Sequence, residues 1–380
     1  IMENNNDNKV LNVPHLRFPE FSGEWEMVSL QDIATINPKS DPLQNTFIYI
    51  DLEAVEKGEL RKIQEIMREE APSRAQRVID NNDILFQCVR PYQKNNYIHR
   101  ILNTSNQQWV ASTGYAQIRT TELPNYIYHL LNTDEFNRKV MVRCTGSSYP
   151  AINSEDLATI HLYYTPDKKE QLKISRLLDL LDKRIATQNK IIEKLQSLIK
   201  GIAQHCIKES TSGNTYVKLG DICQITTGKL DANAQVDNGI YPFFTCAEQP
   251  FKIDSFAFDT EALLISGNGA NLGYINYYKG KFNAYQRTYV LDLFSENIQY
   301  IKWALKVLLP KRIAIEKSSS NTPYIVLSTL TDLRLPIPCK SKQSFIANLM
   351  QSLERKLSNQ IAQYDSYNYL KQYLLRQMFI

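Results

Sequence analysis

One motif occurs twice in this chain of 380 residues, and this internal repeat limits the possible folds more than any other feature. The pattern V-x-L-x-D-I-x-x-I stands at 28–36 and again at 217–225. A second set of matches closes each half, where Gln171, Ile174, Leu181, Gln188 and Leu198 align with Gln343, Ile346, Leu353, Gln360 and Leu370. The spacing is far too long for a solenoid. We therefore predict the order domain, helix, domain, helix, with two related domains.

The two helices are predicted from apolar residues that alternate in steps of four and three, which is typical of a coiled-coil seam. The first seam comprises Ile174, Leu178, Leu181, Ile185, Gln188, Ile192 and Leu195 and continues to Ile199, Ile202 and Cys206, and the second comprises Ile346, Leu353, Leu357, Gln360 and Tyr364. A polar residue near the middle of a seam fixes register at some cost in stability. Antiparallel pairing would let Gln188 and Gln360 bond each other. Parallel pairing, and packing of each helix on its own domain alone, stay open.

Short alternating runs between turn formers precede each helix and predict mostly antiparallel strands. The expected fold is α+β, with two similar domains separated by two long helices that pair as an antiparallel coiled coil with pseudo-two-fold symmetry. The expected boundaries are a disordered or arm-like N-terminus at 1–15, a first domain at 16–166, a central helix at 167–210, a second domain at 215–340 and a C-terminal helix at 341–380.

No catalytic motif explains this chain. It lacks a phosphate-binding P-loop, the HExxH and GxSxG patterns, and the Asn/Asp-Pro-Pro-aromatic motif of amino-methyltransferases. Its five histidines are scattered and form no ligand cluster. No apolar run of membrane-spanning length occurs, and the N-terminus is polar rather than signal-like. We expect a non-catalytic cytoplasmic protein without a metal or cofactor of its own.

Polar loops at equivalent places in both halves are the candidate contacts to nucleic acid. Arg, Asn and Gln hydrogen-bond base edges, and Lys suits phosphate. The first half supplies Arg90, Tyr92, Gln93, Lys94, Asn95, Thr113, Arg143, Thr145, Ser147, Ser148 and Tyr149. The second half supplies Lys229, Asn268, Asn271, Tyr285, Gln286, Arg287, Lys317, Ser319, Ser320, Asn321 and Thr322.

Three features together resemble the DNA-specificity (S) subunit of type I restriction–modification enzymes. They are the opening LRFPEFSGEW at 16–25, the paired V-x-L-x-D-I motifs, and the GSSYPAI stretch at 146–152 followed by Asp156-Leu157 and a seam helix. The resemblance covers nearly the whole chain. The second copy departs from it at 320–324, where SNTPY replaces the Gly-Ser-Ser core.

The resemblance implies separate roles for the domains, the helices and the partner subunits. Each half would be a target recognition domain, similar to the small domain of an adenine-N6 DNA methyltransferase, that reads one half of a bipartite asymmetric DNA site. The helices would form a rod that fixes the gap between half-sites. Two methyltransferase (M) subunits and two restriction/translocase (R) subunits would join this bacterial complex, active at the nucleoid. S-adenosylmethionine, ATP and Mg²⁺ would belong to those partners.

The net charge of +4 is unevenly distributed and has two interpretations. Residues 168–208 hold ten Lys/Arg against four Asp/Glu, and 340–380 hold six against two, so the rest of the chain is acidic. The basic helices would either release counterions from DNA phosphates or face acidic surfaces of the M subunits. The second interpretation, contact with the M subunits, is favoured, since one helix face is already used for pairing, and it predicts weak DNA binding by the chain alone.

Two other functions stay open: a two-headed protein–protein adaptor without a DNA role, and a fragment of a single-chain restriction–methylation enzyme.

Overall fold

The structure is a computed structural model that describes residues 12–100, 107–211, 215–317 and 324–380. Contacts divide the chain into two units, Ile1–Gln188 with Gln363–Ile380, and Asn189–Ala362. Each unit holds one α+β domain and one half of each long helix, so the predicted arrangement of two domains and two helices is confirmed. Most of the predicted N-terminal arm, at 1–11, lies outside the described residues. None of the described helices is long and apolar enough to cross a membrane.

The first unit contains short strands and helices that precede a long helix. In chain order they are β1 Glu26–Ser29, α1 Leu30–Ile33, β2 Ala34–Ile36, β3 Thr46–Ile50, β4 Val55–Glu56, β5 Glu59–Leu60, β6 Gln64–Met67, β7 Ala75–Ile79, β8 Ile84–Gln87, β9 Tyr97–Ile98, β10 Gln108–Ser112, β11 Tyr115–Thr120, α2 Pro124–Leu131, α3 Asp134–Val142, α4 Ser154–Ala158, β12 His161–Tyr164 and α5 Lys168–Thr211. The larger sheets have the orders β6-β3-β10-β7 and β2-β11-β8-β9. All described pairs in these sheets are antiparallel except β3 with β10. The predicted mostly antiparallel sheet is therefore confirmed.

The second unit follows the same plan with a different sheet. Its elements are β13 Thr215–Lys218, β14 Gln224–Thr227, β15 Tyr241–Phe244, β16 Phe251–Ile253, β17 Phe258–Ser266, β18 Ile275–Ala284, β19 Thr288–Asp292, α6 Ile298–Lys317, α7 Leu327–Thr331, β20 Arg334–Ile337 and α8 Lys340–Met378. One sheet of order β14-β19-β17-β18-β15-β16 dominates it, and β15 pairs parallel with β18. The two domains thus share a frame but differ in the strands between its elements.

The repeated motif forms the same local structure in both units. In the first unit β1 leads through α1 into β2, and in the second β13 leads through a 3-10 turn into β14. Leu30 and Leu219 of the motif are fully buried, and Ile33 and Ile222 are nearly so. The first strand of each unit pairs antiparallel with the strand just before the long helix, β1 with β12 and β13 with β20. The motif is conserved between the halves because its apolar residues anchor the same part of each core.

A buried glutamine ties the first domain to the start of α5. Gln171 is fully buried, and its Nε2 donates to the carboxylate of Glu122 and to the carbonyl of Thr165, both at 2.7 Å. Its Oε1 accepts from the backbone N–H of Leu123 at 3.3 Å. Lys168 pairs with the same Glu122 carboxylate. All polar atoms of a buried side chain are thereby satisfied, as burial requires.

The second unit repeats this arrangement at the start of α8. Gln343 is 1% exposed, and its Nε2 donates to Glu296 at 2.6 Å and to the carbonyl of Pro338 at 2.9 Å. Its Oε1 accepts from the backbone N–H of Asn297 at 3.0 Å, and Lys340 pairs with Glu296 at 2.8 Å. Burial raises the pKa of Glu296, but the bonds from Lys340 and Gln343 outweigh it, so that pKa is lowered. The alignment of Gln171 with Gln343 therefore marks one structural device used twice.

Within each unit the helices run antiparallel, as predicted. In the first unit Asp182 pairs with Lys371 at 2.5 Å and Arg184 contacts Tyr367, so rising positions in α5 meet falling positions in α8. In the second unit Lys342 donates to the carbonyl of Glu209 at 3.0 Å, and the cores of both helix halves form one cluster. The seam faces inward: Ile174, Leu178, Leu181, Gln188, Ile192, Leu195 and Ile346 are buried, and Ile185, Leu353, Leu357, Gln360 and Tyr364 are half-buried. A bond between Gln188 and Gln360 stays a prediction.

The predicted seam fails at the end of α5. Steps of four and three place Ile202 and Cys206 in the seam, but both are half-buried, whereas Ala203 and Ile207 are buried. Ala203 and Ile207 belong to the core cluster of the second domain, together with Leu219. The last turns of α5 therefore pack on a domain rather than only on a helix, and the period of their buried face rises toward 3.6.

A buried histidine gives the first unit a pH-dependent stability. Both ring nitrogens of His99 lack a partner among the described residues, its ring lies 4.9 Å from that of Trp109, and burial lowers its pKa to about 4. The pKa of histidine in the unfolded chain is near 6.5, so the neutral ring stabilises the fold above that pH, and this contribution is lost as pH falls toward 4.

The wild-type protein should lose free energy of unfolding between pH 7 and pH 4.5, and we expect His99→Phe to remove about 2 kcal/mol of this loss. Urea unfolding of both proteins at the two pH values tests this, and equal losses would contradict it.

Candidate nucleic-acid interface

The loop after β8 has a strained backbone at two of the predicted contact residues. Arg90 adopts φ 55° and ψ 54°, and Lys94 adopts φ 52°, which are left-handed conformations that L-residues with bulky side chains rarely take. Proline at position 91 adds to the strain at Arg90, since the residue before a proline prefers extended backbone. The N–H of Arg90 donates to the carbonyl of Pro150 at 2.8 Å, and its carbonyl accepts from the N–H of Gln93 at 3.0 Å. These bonds hold the loop in one conformation.

The Gly-Ser-Ser loop lies directly beside it. Thr145 and Ala151 exchange backbone hydrogen bonds at 2.9 Å in both directions, which closes the loop at its base. Gly146, which directly follows Thr145, has φ +88°, so glycine is favoured there. The side chains that follow the base are exposed: Thr145, Ser147, Ser148 and Tyr149. Tyr149 is 63% exposed, which is unusual for an aromatic side chain held on an ordered loop.

The two loops meet through an arginine and a tyrosine. The guanidinium carbon of Arg90 lies 4.3 Å from the ring centroid of Tyr149, a cation–π stack. Within the described residues this guanidinium makes no hydrogen bond or ion pair. Tyr92 in the same loop is 51% exposed. Sequence reasoning named all three residues, but it gave no sign that Arg90 and Tyr149 stack.

Other predicted contacts of the first domain use their polar atoms within the chain. Lys94 pairs with Asp134 at 2.7 Å and donates to the carbonyl of Asn132. Arg143 donates to the carbonyl of Asp156 at 2.8 Å and to Thr159 Oγ1 at 2.6 Å. The side-chain oxygen of Gln93 accepts from Gln87 Nε2 at 2.9 Å, and that of Asn95 accepts from the backbone N–H of Lys57 at 3.0 Å. Thr113 is half-buried. DNA contact by these residues stays a prediction, and their geometry gives them a positioning role.

In the second domain a cysteine holds the two predicted asparagines. Asn268 Oδ1 accepts from Cys246 Sγ at 3.0 Å, and Asn271 Nδ2 donates to the carbonyl of Cys246 at 3.0 Å. The thiol also lies 3.6 Å from the carbonyl of Arg287. Sequence reasoning missed Cys246, because a single cysteine after an apolar strand gives no signal of such a network.

The turn between β18 and β19 lies beside the segment that contains Lys229. Gln286 and Arg287 are exposed and Tyr285 is half-buried. The N–H of Gln286 donates to the carbonyl of Leu230 at 2.9 Å, which fixes the exposed Lys229 next to the turn. A Cβ at position 228 would lie 1.9 Å from the carbonyl oxygen of Ala284, so only glycine allows this approach. The sequence prediction thus grouped residues that the fold does bring together.

Part of the predicted second-domain site lies outside the described residues. These are Ser319, Ser320, Asn321 and Thr322, and the side chain of Lys317. The residue that follows this loop is placed as in the first domain. The N–H of Ile325 donates to the carbonyl of Gly267 at 2.9 Å, and that of Ile152 donates to the carbonyl of Cys88 at 3.1 Å. In both domains the chain after this loop is therefore bonded to the residue that follows a strand, Cys88 after β8 and Gly267 after β17.

Comparison with known proteins assigns this arrangement to a family. A family model described as the type I restriction modification DNA specificity domain matches residues 22–197 and again 211–364. The EcoDI specificity subunit of Escherichia coli is 44% identical over 137 residues, which are 36% of this chain and 30% of that subunit. The MjaIX specificity subunit of Methanocaldococcus jannaschii is 24% identical over 274 residues, 62% of this chain and 63% of that one. Both matches span less than two thirds of the relative.

Solved structures show the same fold. The S subunit of a type I restriction–modification system from M. genitalium superimposes with a TM-score of 0.66 at 17% identity, over 97% of this chain and 99% of that one. A chain from a type I R-M system, studied for complex assembly and conformational transition, gives a TM-score of 0.58 at 22% identity, over 92% and 96%. At these identities the likeness establishes the fold.

Proposed function

This chain belongs to the family of type I restriction–modification DNA specificity proteins, and we propose that it reads a bipartite, asymmetric DNA site, one half-site per domain. The family resemblance predicted from the sequence is confirmed by this membership. One observation supports the bipartite site above all. The two domains share their frame, down to the buried glutamine at the start of each long helix, but differ in the loops and strands between frame elements.

The difference between the domains supports an asymmetric site. The first domain presents an arginine, two tyrosines and hydroxyls around a glycine. The second presents asparagines, a glutamine, an arginine and a lysine. Because base edges differ in their donors and acceptors, two loop sets of different chemistry select different bases.

We further propose that the helices hold the partner subunits of the complex. The first unit has an open groove of about 580 Å³ between α3 and the C-terminal end of α8, and the second has one of about 590 Å³ between α5 and α6. In the second, apolar residues such as Ile199, Trp303 and Leu357 are rimmed by Lys200 and Lys311. Such a groove fits an amphipathic helix with an acidic edge. We propose that two M subunits dock on each chain, with two R subunits joining them and with S-adenosylmethionine, ATP and Mg²⁺ bound by those partners.

The chain should direct methylation to one motif. We expect a cognate adenine methyltransferase to co-purify with the chain near two to one, and the pair to methylate adenines only within a bipartite motif. Sequencing of modified bases in a host that expresses both, either alone, or neither tests this. Unmodified DNA in the co-expressing host would contradict the proposal. Stable co-purification without any methylation motif would favour the two-headed adaptor instead.

A further inference from the structure

We propose that Arg90 reads a guanine in the half-site of the first domain, with Tyr149 as the positioning residue that fixes its guanidinium. The inference rests on the proposed DNA function and goes beyond it, because it assigns one base class to one side chain. It starts from a charged group whose donors are unused. The guanidinium lies on an exposed ring and, within the described residues, has neither a carboxylate nor a carbonyl partner.

Arg90 is held in a left-handed backbone conformation in which glycine would be less strained. A non-glycine residue at φ 55° before a proline costs free energy. Four neighbouring hydrogen bonds to backbone carbonyls enforce this conformation. The N–H of Arg90 donates to Pro150, that of Gln93 to Arg90 and that of Lys94 to Pro91, and Asn137 Nδ2 also donates to Pro91. Pro91 is buried, so the loop has a fixed base. Strain of this kind is kept where a side chain must stand at a set place.

The contact with Tyr149 fixes the position of the guanidinium, whose carbon lies 4.3 Å from the ring centroid. A guanidinium held over a ring face by a cation–π contact keeps its N–H donors available for other partners. A planar fork of donors matches O6 and N7 of guanine in the major groove, and this is the commonest specific arginine contact. A phosphate can be bound by a point charge or by hydroxyl and backbone donors as well as by a planar fork, and the adjacent Ser147, Ser148 and the Gly146 backbone supply such donors.

The test compares variants that separate charge, shape and strain. Arg90→Lys keeps the charge but loses the fork, and Arg90→Gly relieves the strained backbone while removing the side chain. Tyr149→Phe keeps the ring and Tyr149→Ala removes the platform. Arg138→Lys is the matched control, because Arg138 is an exposed arginine of the same unit that already pairs with Glu135 at 2.8 Å. Each full-length variant is co-expressed with the methyltransferase, its melting curve is recorded, and modified bases are sequenced.

We expect both Arg90 variants to relax one position of one half-site, with discrimination against other bases falling about tenfold. The other half-site should stay unchanged in each case. Tyr149→Ala should relax the same position less, and Tyr149→Phe and Arg138→Lys should keep the wild-type motif. An unchanged motif with evenly lower methylation, or full rescue by Arg90→Lys, would indicate a phosphate contact and overturn the inference alone. A wild-type chain that directs no motif would overturn the proposed function as well.

Discussion

Arg17→Ala should lower the free energy of unfolding of the first unit by about 3 kcal/mol. Glu170 at the start of α5 has a fully buried side chain, and Arg17 binds it through Nε at 2.7 Å and Nη2 at 2.9 Å. Thr165 Oγ1 donates to the same carboxylate at 2.7 Å. Removing the arginine leaves a buried carboxylate without its countercharge, which costs more than the pair itself contributes. The bond to Glu170 raises the pKa of Arg17.

The measurement uses the tryptophans of the first unit. A Trp303→Phe background leaves Trp25 and Trp109 as the reporters in urea unfolding. Arg138→Ala is the matched control, because Arg138 binds Glu135 with the same two-point geometry but is 65% exposed, and exposed pairs contribute at most about 1 kcal/mol. Glu170→Gln in the Arg17→Ala protein should restore part of the loss. Equal effects of Arg17→Ala and Arg138→Ala would show that burial of Glu170 does not matter.

The sequence predicts the frame of this protein well because the frame is set by apolar spacing. Burial at Leu30 and Leu219 follows from the repeated motif, and the inward face of α5 follows from its steps of four and three up to Leu195. Beyond Leu195 the prediction loses accuracy, since the last turns of α5 pack on a domain whose shape the local pattern does not contain. Periodicity reports that a face is buried, but it does not report the partner.

The candidate site was predictable only as a set of loops. Lys94, Arg143 and Arg90 are equivalent candidates in sequence. Lys94 pairs with the carboxylate of Asp134 and Arg143 donates to the carbonyl of Asp156, whereas of these three only the side chain of Arg90 makes no hydrogen bond or ion pair within the described residues. The dipeptide Arg90-Pro91 even favours extended backbone over the left-handed conformation found. Side-chain availability depends on neighbours far apart in sequence, and no local propensity contains them.

The charge distribution acquires a second explanation from the fold. Several basic side chains at the ends of the long helices pair with carboxylates of the domain in their own unit: Lys168 with Glu122, Lys173 with Glu20, Lys340 with Glu296, and Arg376 with Asp134. Part of the contrast between basic helices and acidic domains therefore joins each domain to its helices. The charge left for partners or DNA is smaller than the sequence count of the helices suggests.

Gln171→Leu and Gln343→Leu should each destabilise their own unit by about 2–3 kcal/mol. Each substitution keeps the side chain buried but leaves one carbonyl and one backbone N–H without their partner: Thr165 and Leu123 in the first unit, Pro338 and Asn297 in the second. Unsatisfied buried groups cost their full desolvation, which the added apolar contact of leucine does not offset. Because the two glutamines make the same set of bonds, the two losses should agree within about 1 kcal/mol.

Native-state hydrogen exchange locates each loss. Gln171→Leu should speed exchange in β12 and the first turns of α5, and Gln343→Leu should do so in β20 and the first turns of α8, each without the other. Gln363→Leu is the matched control, since Gln363 is exposed in α8 and its change should stay within about 0.5 kcal/mol. Losses of very different size would mean that the aligned glutamines are equivalent in sequence and geometry but not in energy. In that case the repeat would preserve the backbone path of each unit, and the stability of each unit would depend on other residues.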